Sequence, residues 1–242
     1  MRQVNNLATG VTINNTGACS GGGTISVTVS EAISGTVSNG DSMSVTANSC
    51  SENGRTINGR IDYGFSNLSG TISSSSAWSG SVALKYSNVT LRTGGFTIGA
   101  DGDMSLSYNQ SSYQHATSAI SGSSIQMDLT KSDGTVGQRK LTNYQLNASV
   151  NGSSNTSIQF YVDWQFSKLG NINFTVTTRT PFQATGAENR SAGSTTVTAA
   201  NKSSATLTAI DSTNVRIDID SNGDGAIDQT INTTWADLKS RI

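Results

Sequence analysis

Alternation of apolar and polar residues runs from one end of the chain to the other and constrains the fold more than any other feature. It is clear in four early segments, 25–29, 43–47, 61–65 and 82–86. Because successive side chains of a β-strand point to opposite faces, this pattern places one face on a core and the other in water. It predicts an all-β fold, a largely antiparallel meander that forms a sandwich or a half-barrel or barrel.

Turn-forming segments separate the alternating runs. Residues 99–102 and 132–134 are rich in Gly and Asp and are predicted to be hairpin turns. The most apolar pair of runs, 158–166 and 172–176, predicts the centre of the core.

The last residues form the only segment with a helical pattern. In residues 233–241 a threonine can cap the start, an acid lies in the first turn and cations lie in the last. Trp235 and Leu238 would share a face, so the short helix is expected to pack on one edge or end of the sheet. We expect one domain over 1–242, since all-β units of about this length are common, with 184–242 as an alternative C-terminal subdomain.

Composition and charge exclude several classes of partner. The chain has 15 Lys+Arg, 16 Asp+Glu and a formal net charge of -1, without a basic cluster, so a nucleic-acid partner is not expected. No apolar run approaches the length that crosses a bilayer, which predicts no transmembrane segment. The first residues also lack the hydrophobic stretch of a signal peptide.

Cys19 and Cys50 are the two cysteines of the chain. In polar, Gly-rich surroundings of an exported β protein such a pair is most often bonded, and two free thiols are the alternative. Neither a CxxC motif nor a histidine partner accompanies them, so redox catalysis and a zinc site are not supported.

Residues 220–228 form the one constellation with recognisable chemistry. Asp220, Asn222, Asp224 and Asp228 occupy the first, third, fifth and ninth positions of a calcium-binding loop, and the carbonyl of Ala226 can add a further oxygen. The flanking runs alternate as strands, so the loop is not an EF-hand. We expect a structural Ca²⁺ here, and a metal-free Asp/Asn/Gly turn is the alternative.

Two further acidic features are weaker. Asp218 lies on the same strand face as Asp220, either near the ion or as an exposed strand acid. Residues 101–103 offer too few ligands and are expected to be an ordinary turn.

Enzyme chemistry is not apparent in this sequence. His115 is the sole histidine and lies in a polar stretch, and no G-x-S-x-G elbow, P-loop or dinucleotide fingerprint occurs. Strand acids such as Asp62, Asp128 and Asp163 could serve a glycosidase only if two were brought to the required separation. Trp78 could face a sugar, but no second ring is evident beside it, and a role in packing is favoured. The chain is predicted not to be an enzyme.

The loop at 220–228 resembles the DxDxDG-type loops found between strands in integrin-like propeller blades and in many bacterial secreted proteins. Together with Cys19 and its following glycines, the segments 48–50 and 56–59, and the terminal Trp235, it resembles a group of uncharacterised secreted proteins and lipoproteins of Gram-negative bacteria. The resemblance implies an exported location and a calcium loop, and it implies no reaction.

These observations lead to three hypotheses of function. The leading one is a non-enzymatic, extracytoplasmic β protein of the cell envelope, stabilised by calcium, that assembles with copies of itself or binds a surface partner. The second is a carrier of a lipid or another apolar ligand of the envelope. The third is a glycan-binding adhesin.

Overall fold

A computed structural model describes residues 11–31, 36–71, 76–112, 114–152, 155–166, 172–185 and 189–240. Over these residues the fold is all-β, an antiparallel meander of fourteen strands followed by one short helix, which confirms the predicted fold class. The elements are β1 (Val11–Ala18), β2 (Thr24–Glu31), β3 (Ser42–Glu52), β4 (Arg55–Gly70), β5 (Trp78–Thr93), β6 (Phe96–Ser112), β7 (His115–Lys131), β8 (Val136–Asn151), β9 (Asn155–Phe166), β10 (Ile172–Thr185), β11 (Ala192–Ala199), β12 (Ser204–Ala209), β13 (Asn214–Asp220), β14 (Gln229–Thr234) and α1 (Trp235–Ser240).

Every strand pairs with the next strand of the chain, in the order β1 to β14. Among the described residues β1 pairs only with β2 and β14 only with β13, so these two strands are the edges of the sheet. This topology needs only local hairpin connections, which agrees with the frequent turn signals in the sequence.

Residues directly opposite each other in neighbouring strands share a face of the sheet. Tyr63, Leu84 and Met104 form one such row across β4, β5 and β6. We call the side that carries this row the apolar face and the opposite side the polar face. The alternation seen in the sequence therefore becomes a continuous two-sided sheet.

Among the described residues, the larger of two buried clusters lies on the apolar face in the second half of the meander. Ile125, Tyr144 and Val176 are its buried members, and their partly buried neighbours include Met104 and Val197. Val176 belongs to the segment predicted as the centre of the core. Of residues 158–166, only Ile158 and Asp163 have side chains among the described ones, so the rest of that prediction lies outside the described residues.

Tyr144 reaches across β7 to the next strand. It lies opposite Gly122, and its hydroxyl donates a hydrogen bond to the main-chain carbonyl of Asp103 in β6. A Cβ atom at Gly122 would come within 2.3 Å of the tyrosine oxygen. The glycine is therefore required by close approach of the ring.

β-Bulges interrupt the long central strands. The predicted turn at 99–102 is wrong, because these residues lie inside β6, where Gly102 pairs with Ile125 before the register shifts. Asp and Gly favour turns and bulges for the same backbone reasons, and local sequence does not separate the two. The other predicted turn, 132–134, does connect β7 to β8.

Helix α1 begins after a capping threonine, as predicted. The Thr234 hydroxyl accepts a hydrogen bond from the Asp237 amide at 3.1 Å. The Trp235 indole donates to the carbonyl of Arg190 at 3.0 Å, and Lys239 donates to Asn189 at 2.6 Å. The helix therefore lies over the end of the sheet near the connection that precedes β11. No described helix is long and apolar enough to cross a membrane.

Candidate functional site

The acidic loop, residues 220–228, connects β13 to β14. Asp220 is the last residue of β13 and is only 9% exposed. Its Oδ1 accepts a hydrogen bond from the Gly223 amide at 2.7 Å, and its Oδ2 accepts one from the Gly225 amide at 2.9 Å. Both glycines have φ near +80 to +90°, which L side chains rarely adopt. The chain thus closes around the first acid of the predicted site.

The other three oxygen side chains stabilise the same loop. Asn222 Oδ1 accepts from the Asp224 amide at 2.9 Å, and Asp224 Oδ1 accepts from the Ala226 amide at 2.8 Å. Asp228 Oδ2 accepts from the Ser221 amide at 2.7 Å. The hydrogen bonds from the Ser221 hydroxyl and amide lower the pKa of Asp228 below its ordinary value. All four side chains therefore stabilise one compact loop through hydrogen bonds with its amides.

Within the described ranges no three Asp, Glu, His or Cys side chains converge as a metal-binding group. In the acidic loop this agrees with the hydrogen bonds, which direct carboxylate oxygens to loop amides. Neutral oxygen atoms can also be metal ligands, although they do not belong to Asp, Glu, His or Cys side chains. In this loop they are the side-chain oxygen of Asn222 and the main-chain carbonyl of Ala226.

Asp218 has partners away from the acidic loop. It forms an ion pair with Arg216 at 2.9 Å and accepts a hydrogen bond from the Thr230 hydroxyl at 2.8 Å. Both partners lie beside it on the polar face. Of the two predicted roles of Asp218, these contacts favour that of a strand acid on the sheet surface over that of a residue near a calcium ion.

The second predicted site, the disulfide between Cys19 and Cys50, is present, with the two Cα atoms 5.4 Å apart. Both sulfurs are buried with Ala47, against Ile25. Gly23 lies so close to β3 that a Cβ atom would come within 2.1 Å of the Ser49 carbonyl oxygen. The absence of a side chain at Gly23 thus lets the β1–β2 turn approach β3.

Several strand acids hold the irregular backbone of the bulges. Asp101 Oδ2 accepts from the Asn88 amide at 2.8 Å, where Asn88 has a φ of 49°. Asp103 accepts from the amides of Ser123 and Ser124 at 2.9 and 3.1 Å. Burial would raise the pKa of Asp103, but its hydrogen bonds with Ser123 and Ser124 outweigh burial and lower it. The prediction of an ordinary turn at 101–103 is therefore wrong: these residues lie inside β6, where their acids bond to backbone of the neighbouring strands.

The strand acids considered for a glycosidase also have partners on the polar face. Asp62 pairs with Arg60 at 2.6 Å, and Asp163 accepts from the Thr175 hydroxyl at 2.8 Å. Asp128 accepts from Gln138 at 3.0 Å. Each of these three carboxylates is thus engaged with neighbouring side chains of the sheet.

One end of the apolar face leaves large apolar side chains partly open to solvent. Ile98, Met127 and Leu129 are 41%, 38% and 43% exposed and lie on β6 and β7. Together with Gly137 and Arg139 they line a depression of about 310 Å³. This region offers an apolar floor bordered by charged residues of both signs.

Trp78 packs against a second aromatic ring. Its ring centroid lies 4.7 Å from that of Tyr108, with the planes tilted by 34°. Sequence reasoning found no second ring because the two residues meet across the β5–β6 pair. Trp78 is half-buried, which agrees with a role in packing.

His115 lies at the exposed start of β7.

Comparison with known proteins adds no family assignment. No protein-family model, curated protein or solved structure matches this chain.

Proposed function

We propose that this chain is a non-enzymatic, extracytoplasmic β protein with a structural or assembly role, whose C-terminal hairpin is stabilised by Ca²⁺. The observation that carries the proposal is the closed acidic loop around Asp220. Three carboxylates, one side-chain amide and the Ala226 carbonyl are the kinds of oxygen ligand that a hard cation prefers, and calcium would draw the carboxylates together from their hydrogen bonds with loop amides. A calcium ion held there would join the ends of β13 and β14, and it would leave no obvious position for a substrate.

The disulfide supports the extracytoplasmic part of the proposal. Bonds such as Cys19–Cys50 persist in oxidising compartments and are rare in reducing ones. Extracellular calcium modules commonly have dissociation constants of about 0.1 to 1 mM, a range in which a site with Asn222 in place of an acid would still fill outside a cell.

Calcium is expected to bind one ion per chain and to raise thermal stability. At about 10 mM Ca²⁺ the stabilisation should be about 1.5 to 3 kcal/mol, which is a few degrees in the melting temperature. Native mass spectrometry before and after EDTA measures the bound ion, and thermal denaturation with and without Ca²⁺ measures the shift. Asp224→Asn, which retains an oxygen acceptor for the Ala226 amide but removes one ligand charge, should strongly reduce both effects.

Asp211→Asn is the matched control. Asp211 lies in the preceding β12–β13 turn and also accepts hydrogen bonds from loop amides, those of Thr213 and Asn214 at 2.7 Å. This variant should retain the calcium response. A wild-type chain that gains neither mass nor stability at about 10 mM Ca²⁺ would remove the calcium part of the proposal.

A second candidate function, carrying an apolar ligand, is favoured by the exposed side chains of Ile98, Met127 and Leu129. Contiguous apolar surface of this kind marks binding sites in many proteins. The same native mass spectrum distinguishes the two candidates, because a carrier purified without detergent would retain a lipid-sized mass.

A further inference from the structure

The sequences of the two edge strands lack the charged residues and prolines that often protect a sheet edge. β1 has the sequence VTINNTGA and β14 the sequence QTINTT, so neither contains a charged residue or a proline. Natural β proteins commonly place lysine, proline or a covering segment at such edges. The chain as a whole has a formal net charge of only -1, so long-range repulsion between copies is small.

Both edges are open along much of their described length. Residues 12–18 of β1 and 229–232 of β14 are exposed. Helix α1 is anchored at the end of the sheet, where its tryptophan and lysine bond to Arg190 and Asn189. Among the described residues no further strand pairs with either edge, so each edge presents main-chain N–H and C=O groups on its outer side.

The number of strands gives the two edges opposite directions. All thirteen neighbouring pairs of the fourteen-stranded sheet are antiparallel, so the chain reverses thirteen times between β1 and β14. When a second copy is set beside the first in the same orientation, its β1 runs antiparallel to the first copy's β14. The meander can continue from one copy to the next without turning either copy over.

The apolar face also continues across such a junction. Ile13 lies opposite Val29, and Ile231 lies opposite Ile217, so both edge isoleucines are on the apolar face. They are 41% and 37% exposed, and each stands between a threonine and an asparagine. Pairing of the edges would bury both side chains against each other or against diagonal neighbours.

We propose that copies of this chain join head to tail through β14 of one copy and β1 of the next, extending one antiparallel sheet. This inference deepens the proposed assembly role and names the partner as a second copy. In a row of copies, this one type of contact pairs both edge strands of every copy except the first and the last. Because the contact is heterologous and the sheet is open, repetition gives a growing chain of copies rather than a closed pair.

Thiol cross-linking between two variants tests the junction. Ile13→Cys and Ile231→Cys are prepared separately, one with a mass tag, then mixed over a series of protein concentrations and treated with a short bifunctional maleimide. The native cysteines do not compete, since both are in the disulfide. A mixed dimer that links position 13 to position 231 is expected. Ile210→Cys, at a 52% exposed position in the β12–β13 turn, should give no such product with either variant.

Several outcomes would overturn the inference. Like-with-like dimers of Ile13→Cys or of Ile231→Cys would indicate pairing of identical edges, and the absence of any mixed dimer would indicate that the edges do not meet. As a second measurement, the sedimentation coefficient of the wild type should increase with protein concentration. Ile231→Lys should abolish this increase, whereas Ile210→Lys should not. A protein that binds calcium but gives no mixed dimer would refute this junction and leave the calcium-stabilised fold in place.

Discussion

At the scale of single residues, Tyr144 has the most specific environment in the buried cluster. Its ring covers Gly122, and its hydroxyl bonds to the Asp103 carbonyl two strands away. Burial, and to a smaller extent the negative charge of Asp103, raises the pKa of Tyr144 to about 12. One aromatic side chain thus connects three strands at the point where the bulges interrupt regular pairing.

Tyr144→Phe is expected to alter the alkaline stability of the protein. The folded-state pKa of Tyr144 lies above its ordinary value of 10.0. Its neutral form therefore contributes fully to the free energy of unfolding below about pH 10, and this contribution is lost as the pH rises toward about 12. The loss should amount to as much as about 2 kcal/mol in the wild type. In Tyr144→Phe the free energy of unfolding should not show this alkaline decrease. At neutral pH the variant should be about 1 kcal/mol less stable than the wild type, because the hydrogen bond is lost.

Denaturant unfolding at a series of alkaline pH values measures both effects. Tyr63→Phe, on the apolar face of β4, is the matched control and should retain the slope. Identical alkaline profiles for the wild type and Tyr144→Phe would contradict the assignment.

At the scale of elements, the N-terminal hairpin is held to its neighbour by several contacts. The Cys19–Cys50 bond connects the β1–β2 turn to β3. Beside it, the amide and hydroxyl of Ser20 each donate to the Glu52 carboxylate at 2.7 Å. The hydrogen bond from the Ser20 amide is the larger cause of a lowered pKa at Glu52, and the one from its hydroxyl is the second.

Removing the disulfide should destabilise the protein by about 3 to 4 kcal/mol on the chain-entropy estimate, since the bond closes a loop with a sequence separation of 31. The variant is the double substitution Cys19→Ala and Cys50→Ala, and equilibrium unfolding in denaturant is the measurement. Wild-type protein treated with a reductant should shift toward the same midpoint. Equal midpoints for the oxidised wild type and the double variant would show that the bond contributes nothing to stability.

At the scale of the whole molecule, hydrogen-bonded carboxylates are distributed across the sheet. The Arg60 guanidinium, and then the Ser44 hydroxyl, lower the pKa of Asp62 in the first half of the meander. Asp103 in the centre also has a lowered pKa, because hydrogen bonds with Ser123 and Ser124 exceed the opposing effect of burial. These groups favour the folded state only while they are ionised.

Acid is therefore expected to weaken the fold as a whole. A carboxylate whose folded pKa is lowered contributes stability above its unfolded pKa, here 3.8 for Asp, and loses it as the pH falls through the folded value. The unfolding free energy should decrease below about pH 4, as measured by denaturant unfolding from about pH 7 to about pH 2. Asp103→Asn should be less stable than the wild type at neutral pH and less sensitive to acid, whereas Asp133→Asn, in the exposed β7–β8 turn, should cost less at neutral pH. A wild-type profile independent of pH would contradict this account.

The amino-acid sequence alone determined the features that depend on local periodicity and spacing. Alternation at 61–65 and 82–86 predicted the all-β fold and its two faces, because side chains of a strand alternate whatever the partner strand is. The acidic loop and the capped helix at Trp235 were also predictable, since each is built from residues close together in the chain.

Only the tertiary structure decided the features that depend on which strand lies alongside. Residues 101–103 form the bulged interior of β6 rather than a turn, because their hydrogen-bond partners, including Asn88 and Ser123, come from β5 and β7. The position of Tyr144 over Gly122 likewise depends on the β7–β8 register. The opposite directions of the two edges follow from the even number of strands. Pairing between distant residues sets these features, and a period within one strand carries no information about its partner.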